Sequence, residues 1–157
     1  MSKLKLICVF RRPRWPVLCE VPGDLVAAYS LGQLERRLSK FQLPLDTVLH
    51  MIDATGEGWG LYTELAAVSP LVLKKRWTKA ELLELYRGSA TGRRVGTRST
   101  DKALFRQRLG TLILLIADLI NQGSRFNERA VPRAGSFSRA SSGRSGRRGQ
   151  RGAQHHV

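Results

Sequence analysis

The longest apolar run in the chain is Leu109–Ile120, LGTLILLIADLI. As a helix it would rise about 18 Å, well short of the roughly 30 Å core of a bilayer, so it is not expected to span one. Phe105, Leu109, Leu112, Ile116, Leu119 and Ile120 share one broad face, and Ile113 and Ala117 widen it. Arg108, Thr111, Asp118 and Gln122 form the only polar stripe, interrupted by Leu115. A helix apolar over most of its circumference must be covered on several sides, by its own chain or by a partner. Core packing is the expected outcome. Self-association or docking through Leu109–Ile120 is the alternative. Ser99 and Thr100 offer N-caps and Gly123 a C-terminal stop, which predicts one helix over 101–122.

What remains must supply the cover. Residues 123–157 hold eight Arg, one Glu and no Lys in a matrix of Gly, Ser and Ala. Such a tail cannot bury enough apolar surface to offset its ordering entropy and is expected to be disordered. The expected organisation is a body over 1–87, a basic linker over 88–100, the apolar helix over 101–122 and the tail over 123–157. The expected class is α+β: a small antiparallel sheet, built from an N-terminal hairpin and a second hairpin, packed by three helices.

Leu4, Leu6, Cys8 and Phe10 alternate with neighbours of the opposite face, and so do Val17, Cys19 and Val21. With a loop over Arg12–Trp15 these runs would pair as a hairpin, Phe10 opposite Val17, Cys8 opposite Cys19 and Leu6 opposite Val21. Facing thiols in that register read as small core side chains rather than a redox bridge. Residues 24–29 fit either a helix or a strand. Ser30 with Gln33 and Thr78 with Glu81 have capping-box spacing, each opening an amphipathic helix. Residues 46–54 are ambiguous, but the Gly-rich turn Thr55–Gly58 before Trp59–Val68 favours a second hairpin.

Several chemistries lack their residues. Two Cys make neither a disulfide framework nor a zinc set. Gly56-Glu57-Gly58-Trp59-Gly60 lacks the Gly-Lys-Ser/Thr ending of a phosphate loop and the spacing of a dinucleotide fingerprint. His50, Asp53 and Glu57 would share a helical face, yet no nucleophile accompanies them, so no catalytic activity and no cofactor are expected. Few Cys and no signal-like apolar segment at the N-terminus lead us to expect a reduced, cytoplasmic setting.

Charge is the remaining lead. The chain carries 27 basic and 12 acidic side chains, a formal +15. Arg11, Arg12, Arg14 and Trp15 form a basic loop with one planar ring, which suits phosphate contact and base stacking. Lys74, Lys75, Arg76, Trp77 and Lys79 sit at a helix N-terminus, where free N–H groups already attract anions. Arg93, Arg94 and Arg98 charge the expected linker. In the tail, Arg144, Arg147, Arg148 and Arg151 alternate with Gly, and this stretch resembles the Arg-Gly-rich segments of RNA-binding proteins. Guanidinium binds phosphate in bidentate fashion and stacks on bases. The expectation is a non-catalytic nucleic-acid-binding protein, RNA slightly before DNA, with largely electrostatic, low-specificity binding. The alternative is an adaptor subunit docked by its apolar helix, with the tail on an acidic partner.

Overall fold

A computed structural model of the chain describes residues 3–95 and 98–130. Six strands form one mixed sheet: β1 (Ile7–Cys8), β2 (Val17–Val21), β3 (Asp24–Ala28), β4 (Val48–Ile52), β5 (Gly58–Tyr62) and β6 (Ala67–Ser69), in the order β1-β6-β5-β4-β2-β3. Five helices accompany it: α1 (Leu31–Leu38), α2 (Lys79–Gly88), α3 (Ala90–Val95), α4 (Arg98–Phe105) and α5 (Leu109–Ala130). The class is α+β, with more strands and helices than the sequence suggested.

The sheet is covered on both faces. Val17, Cys19, Val21, Val26 and Ala28 point into a core with Leu34 and Leu38 of α1. Leu18, Leu25, Ala27 and Ile52 point into a second core with α2, α4 and α5. This double burial explains the ambiguity of residues 24–29. A strand buried on both faces loses the apolar–polar alternation that marks a half-exposed one.

The N-terminal hairpin does not form. β2 pairs instead with β3, Val17 opposite Ala28 and Val21 opposite Asp24, across the two-residue loop Pro22–Gly23. Gly23 sits at φ 76°, a conformation open to glycine at little cost. That short closure competes well against the longer four-residue loop Arg12–Trp15. β1 runs to the other edge of the sheet and pairs parallel with β6, Ile7 opposite Ala67. Cys8 and Cys19 are therefore not cross-strand partners; three other strands lie between theirs, and both thiols are free. Alternation sets the shared face of Leu4, Leu6, Cys8, Val17, Cys19 and Val21 but not which strand is the neighbour, and Phe10, expected on that face, turns out at φ 71° and is 76 % exposed.

The second hairpin forms over β4 and β5, Ile52 opposite Gly58. Both capping boxes are realised in part or whole. Ser30 Oγ accepts from the Gln33 amide at 3.2 Å, and Thr78 and Glu81 cap α2 reciprocally.

The apolar run is a core helix. Leu112, Ile113, Ile116, Ala117 and Ile120 are buried against the sheet and α2. Burial of each larger member contributes about 2 kcal/mol. Leu114, Leu115 and Phe105 stay exposed. The helix expected over 101–122 is in fact two. α4 ends at Phe105, Arg106–Arg108 turn the chain, and α5 begins at Leu109. The stretch expected as a linker carries α3 and the start of α4, and the Ala90 amide donates to Asp24 at 3.0 Å. Gly123 does not stop α5, which runs to Ala130 through the first residues of the expected tail. Residues 131–157 lie outside the described part.

Candidate nucleic-acid interface

At one end of the sheet the turn Asp53–Glu57 gathers four segments of chain. Its centre is the Asp53 carboxylate, which is 1 % exposed. Oδ1 accepts from the Thr55 amide at 2.9 Å, the Glu57 amide at 3.2 Å and the Thr55 hydroxyl. Oδ2 accepts from the Arg14 amide and the Trp59 indole, each at 3.2 Å. The Arg14 carbonyl accepts in turn from the Ala54 amide at 2.9 Å. A short acidic side chain bonding the backbone ahead of it is a common way to hold a tight turn. Here it also ties the basic loop to the sheet.

A third segment arrives from β6. Gly60 pairs with Ser69, but Glu57 pairs with Arg76. Three steps along β5 are thus matched by seven along its partner, so four extra residues bulge out between Pro70 and Lys75. The Lys75 carbonyl accepts from the Gly58 amide at 2.8 Å, and the Gly56 carbonyl from the Trp77 amide at 3.1 Å. A Cβ on Gly58 would lie 1.7 Å from the Lys74 carbonyl oxygen, so only glycine admits this approach. The fourth segment is the start of α5. A Cβ on Gly56, which sits at φ 85°, would lie 2.5 Å from a Leu109 methyl.

The turn therefore brings the Arg11–Trp15 loop and the Lys74–Lys79 cluster together. They divide by role. Arg11 forms a two-pronged pair with Glu57, one arm at 2.8 Å, and lies 4.8 Å from the centre of the Trp59 ring. Lys74 pairs with Glu81 and sits 4.4 Å from the Trp77 ring centre. Lys79 donates to the carbonyls of Phe105 and Gln107 at 3.0 and 3.2 Å, capping the end of α4. These three cations are occupied within the fold. Arg12, Arg14, Lys75 and Arg76 are exposed, and their side chains have no hydrogen bond or ion pair among the described residues.

The two rings are not open stacking planes. Trp77 is 8 % exposed, set in the core with His50 edge-on to it. Trp15 is half-buried and packs against the α1-side core. Arg93 sits elsewhere, reaching the Gly23 carbonyl at 3.4 Å beyond the far end of β2, with Arg94 next to it on α3. Arg98 lies in α4, and Arg144, Arg147, Arg148 and Arg151 are outside the described residues. Arg106 and Arg108, the latter expected only as part of a polar stripe and neither as a binding residue, are exposed at the α4–α5 junction beside this turn. Their signal was a basic pair just ahead of an apolar helix, hidden by the assumption that one helix ran through them.

The charges of this end are coupled. The hydrogen bond from Arg11 holds the Glu57 carboxyl below its usual range, and the same bond raises Arg11. Glu81 is lowered to about 2, first by Lys74 and then by the amide and hydroxyl of Thr78. Burial raises the Cys8 thiol and pushes Cys19 up to about 12. His50, Asp53 and Glu57 occupy a strand and a turn, not one helical face. No group of three His, Cys, Asp or Glu side chains among the described residues could hold a metal ion. No described helix is long and apolar enough to cross a membrane.

No protein-family model, curated protein or solved structure matches the chain.

Proposed function

We propose that the protein binds nucleic acid without catalysis, RNA slightly before DNA, largely through phosphate contacts. The observation that carries this reading is the convergence at the Asp53–Glu57 turn. Arg12, Arg14, Lys75, Arg76, Arg106 and Arg108 are exposed on three segments packed around it. Of the turn's own carboxylates, Glu57 is paired with Arg11, and Asp53 is buried and bonded to five neutral donors. Against these six exposed cations the turn sets one buried carboxylate without a cationic partner, Asp53, so positive charge prevails at this end. The Arg-rich tail adds affinity of the same kind.

The test is the salt dependence of binding. Six engaged cations give a log–log slope near −5 on duplex DNA. Replacing Arg14, Arg76 and Arg108 together with Ala should flatten the measured slope by about 2.7, since each phosphate contact contributes about 0.9. A slope unchanged in that triple variant would take this end of the sheet out of the interface.

A further inference from the structure

Beside the basic turn lies a cleft of about 830 Å³, roofed by the bulge after β6 and floored by β4 and β5. Its size is within the roughly 300–1,000 Å³ of small-molecule sites. His50 on β4 faces Gly60 on β5, and the Val72 and Val48 side chains close over that glycine to form the cleft surface beside the imidazole. Val48 and Tyr62 continue the floor, and the Tyr62 hydroxyl donates to the Leu71 carbonyl, pinning the roof. At the mouth Leu71 is 61 % exposed and Leu73 fully so. Nothing in the fold explains two bare leucines on a segment that also carries Lys74, Lys75 and Arg76.

Extending the proposed function, and resting on it, we infer that this cleft takes an unpaired base of a single-stranded nucleic acid. Arg11, Glu57, Lys74 and Lys75 line the cleft and also belong to the segments of the basic turn. A strand whose phosphates track Arg14 and Arg76 thus passes the cleft entrance. Its walls are apolar and aromatic, as a base plane requires, while the exposed His50 imidazole offers hydrogen-bonding nitrogens to a base edge. A paired base in a duplex cannot leave the stack without losing its partner, so it gains nothing from the cleft.

The sign of the effect separates the cleft from the cationic arms. Electrostatic binding alone favours duplex over single strand, because counterion release per phosphate is greater on the duplex. A preference for single strands therefore has to come from base contacts.

The experiment measures full-length protein against one short oligonucleotide, single-stranded and then hybridised, with a fluorescent adenine analogue at successive positions. We expect single strands to bind about tenfold tighter at equal salt, with a fluorescence change at the analogue. Leu71→Ser with Leu73→Ser, and separately His50→Ala, should cut single-strand affinity about tenfold and leave duplex binding as it was; all three sites are exposed, so the fold should survive. Equal affinity for both forms, or equal losses on both, overturns the cleft assignment while leaving the basic interface standing. Absence of binding to either form overturns the interface itself and the cleft with it. A dimer that the double Ser variant dissolves would give the cleft to a second copy of the chain and likewise overturn the inference.

Discussion

Removing the Asp53 carboxylate should be costly, and the cost can be apportioned from its five donors. Asp53→Ala strands the Trp59 indole N–H, whose bond to Oδ2 is wholly buried. A buried donor left without a partner costs about 1–3 kcal/mol. The amides of Arg14, Thr55 and Glu57 and the Thr55 hydroxyl are only partly buried, so water can take over some of what they lose. Sharing one acceptor, they do not add independently, and about 1–2 kcal/mol covers them together. Relief from burying a charge offsets part of this. The net is about 3 kcal/mol, which for a folded body of this size lowers Tm by roughly 10 °C. Asp53→Asn makes the sharper test. Its amide oxygen can keep the three donors at Oδ1, but its NH2 then confronts the Arg14 and Trp59 N–H groups with a donor. Asn should therefore fall between wild type and Ala, losing about half as much. Denaturant and thermal unfolding followed by circular dichroism measure both. A loss below about 1 kcal/mol for Ala, or an Asn variant as stable as wild type, would show that Asp53 does not hold this turn.

Two further outcomes follow from the titrating groups. Glu81 has its folded pKa depressed, to about 2, so its stabilising effect is present above its unfolded value near 4.5 and is lost as pH falls toward about 2. Glu81→Gln should remove that part of the acid dependence of stability; a variant whose profile between pH 4.5 and 2 overlays wild type would refute the Lys74 and Thr78 contacts. Cys19, buried and raised to about 12, should react with a thiol reagent only after unfolding, and Cys8, raised and half-buried, should react slowly in the native state. Rapid labelling of Cys19 in the folded protein, read by peptide mass spectrometry, would contradict its place in the core.

Local chemistry was readable in the sequence, and distant pairing was not. Thr78 with Glu81 and the Gly-rich turn after β4 carry their signals within a few residues, and both appear where expected. The partner of β1 is β6, some sixty residues away, and nothing in an alternating Leu4–Phe10 run names it. The four-residue excess between β6 and Trp77 is equally silent. It shows only in which residues face Gly58 and Gly60. The same limit applied to the site. Arg11 reads as a free phosphate ligand until Glu57, 46 residues on, is seen to hold it. Asp53 and Glu57 invited a test for catalysis because they are polar and regularly spaced. Their use in the fold is to bend the chain and neutralise a neighbour.

The split between held and free cations bears on what kind of binder this is. Arg11, Lys74 and Lys79 are fixed by their side chains, so their charge is committed to the fold. Arg14, Lys75 and Arg76 are fixed by their backbones instead: Arg14 through Asp53 and Ala54, Lys75 through Gly58, Arg76 through its bridge to Glu57. Their Cα positions are set while their side chains remain in solvent. Reading base edges needs guanidinium groups locked in place by neighbours, because misplaced donors lose their geometry. Following a phosphate backbone of any sequence needs the reverse, charge in a fixed region on an adaptable stem. The free cations at this turn have the second design, which argues for tolerance of sequence at the phosphates and leaves any discrimination to the cleft beside them.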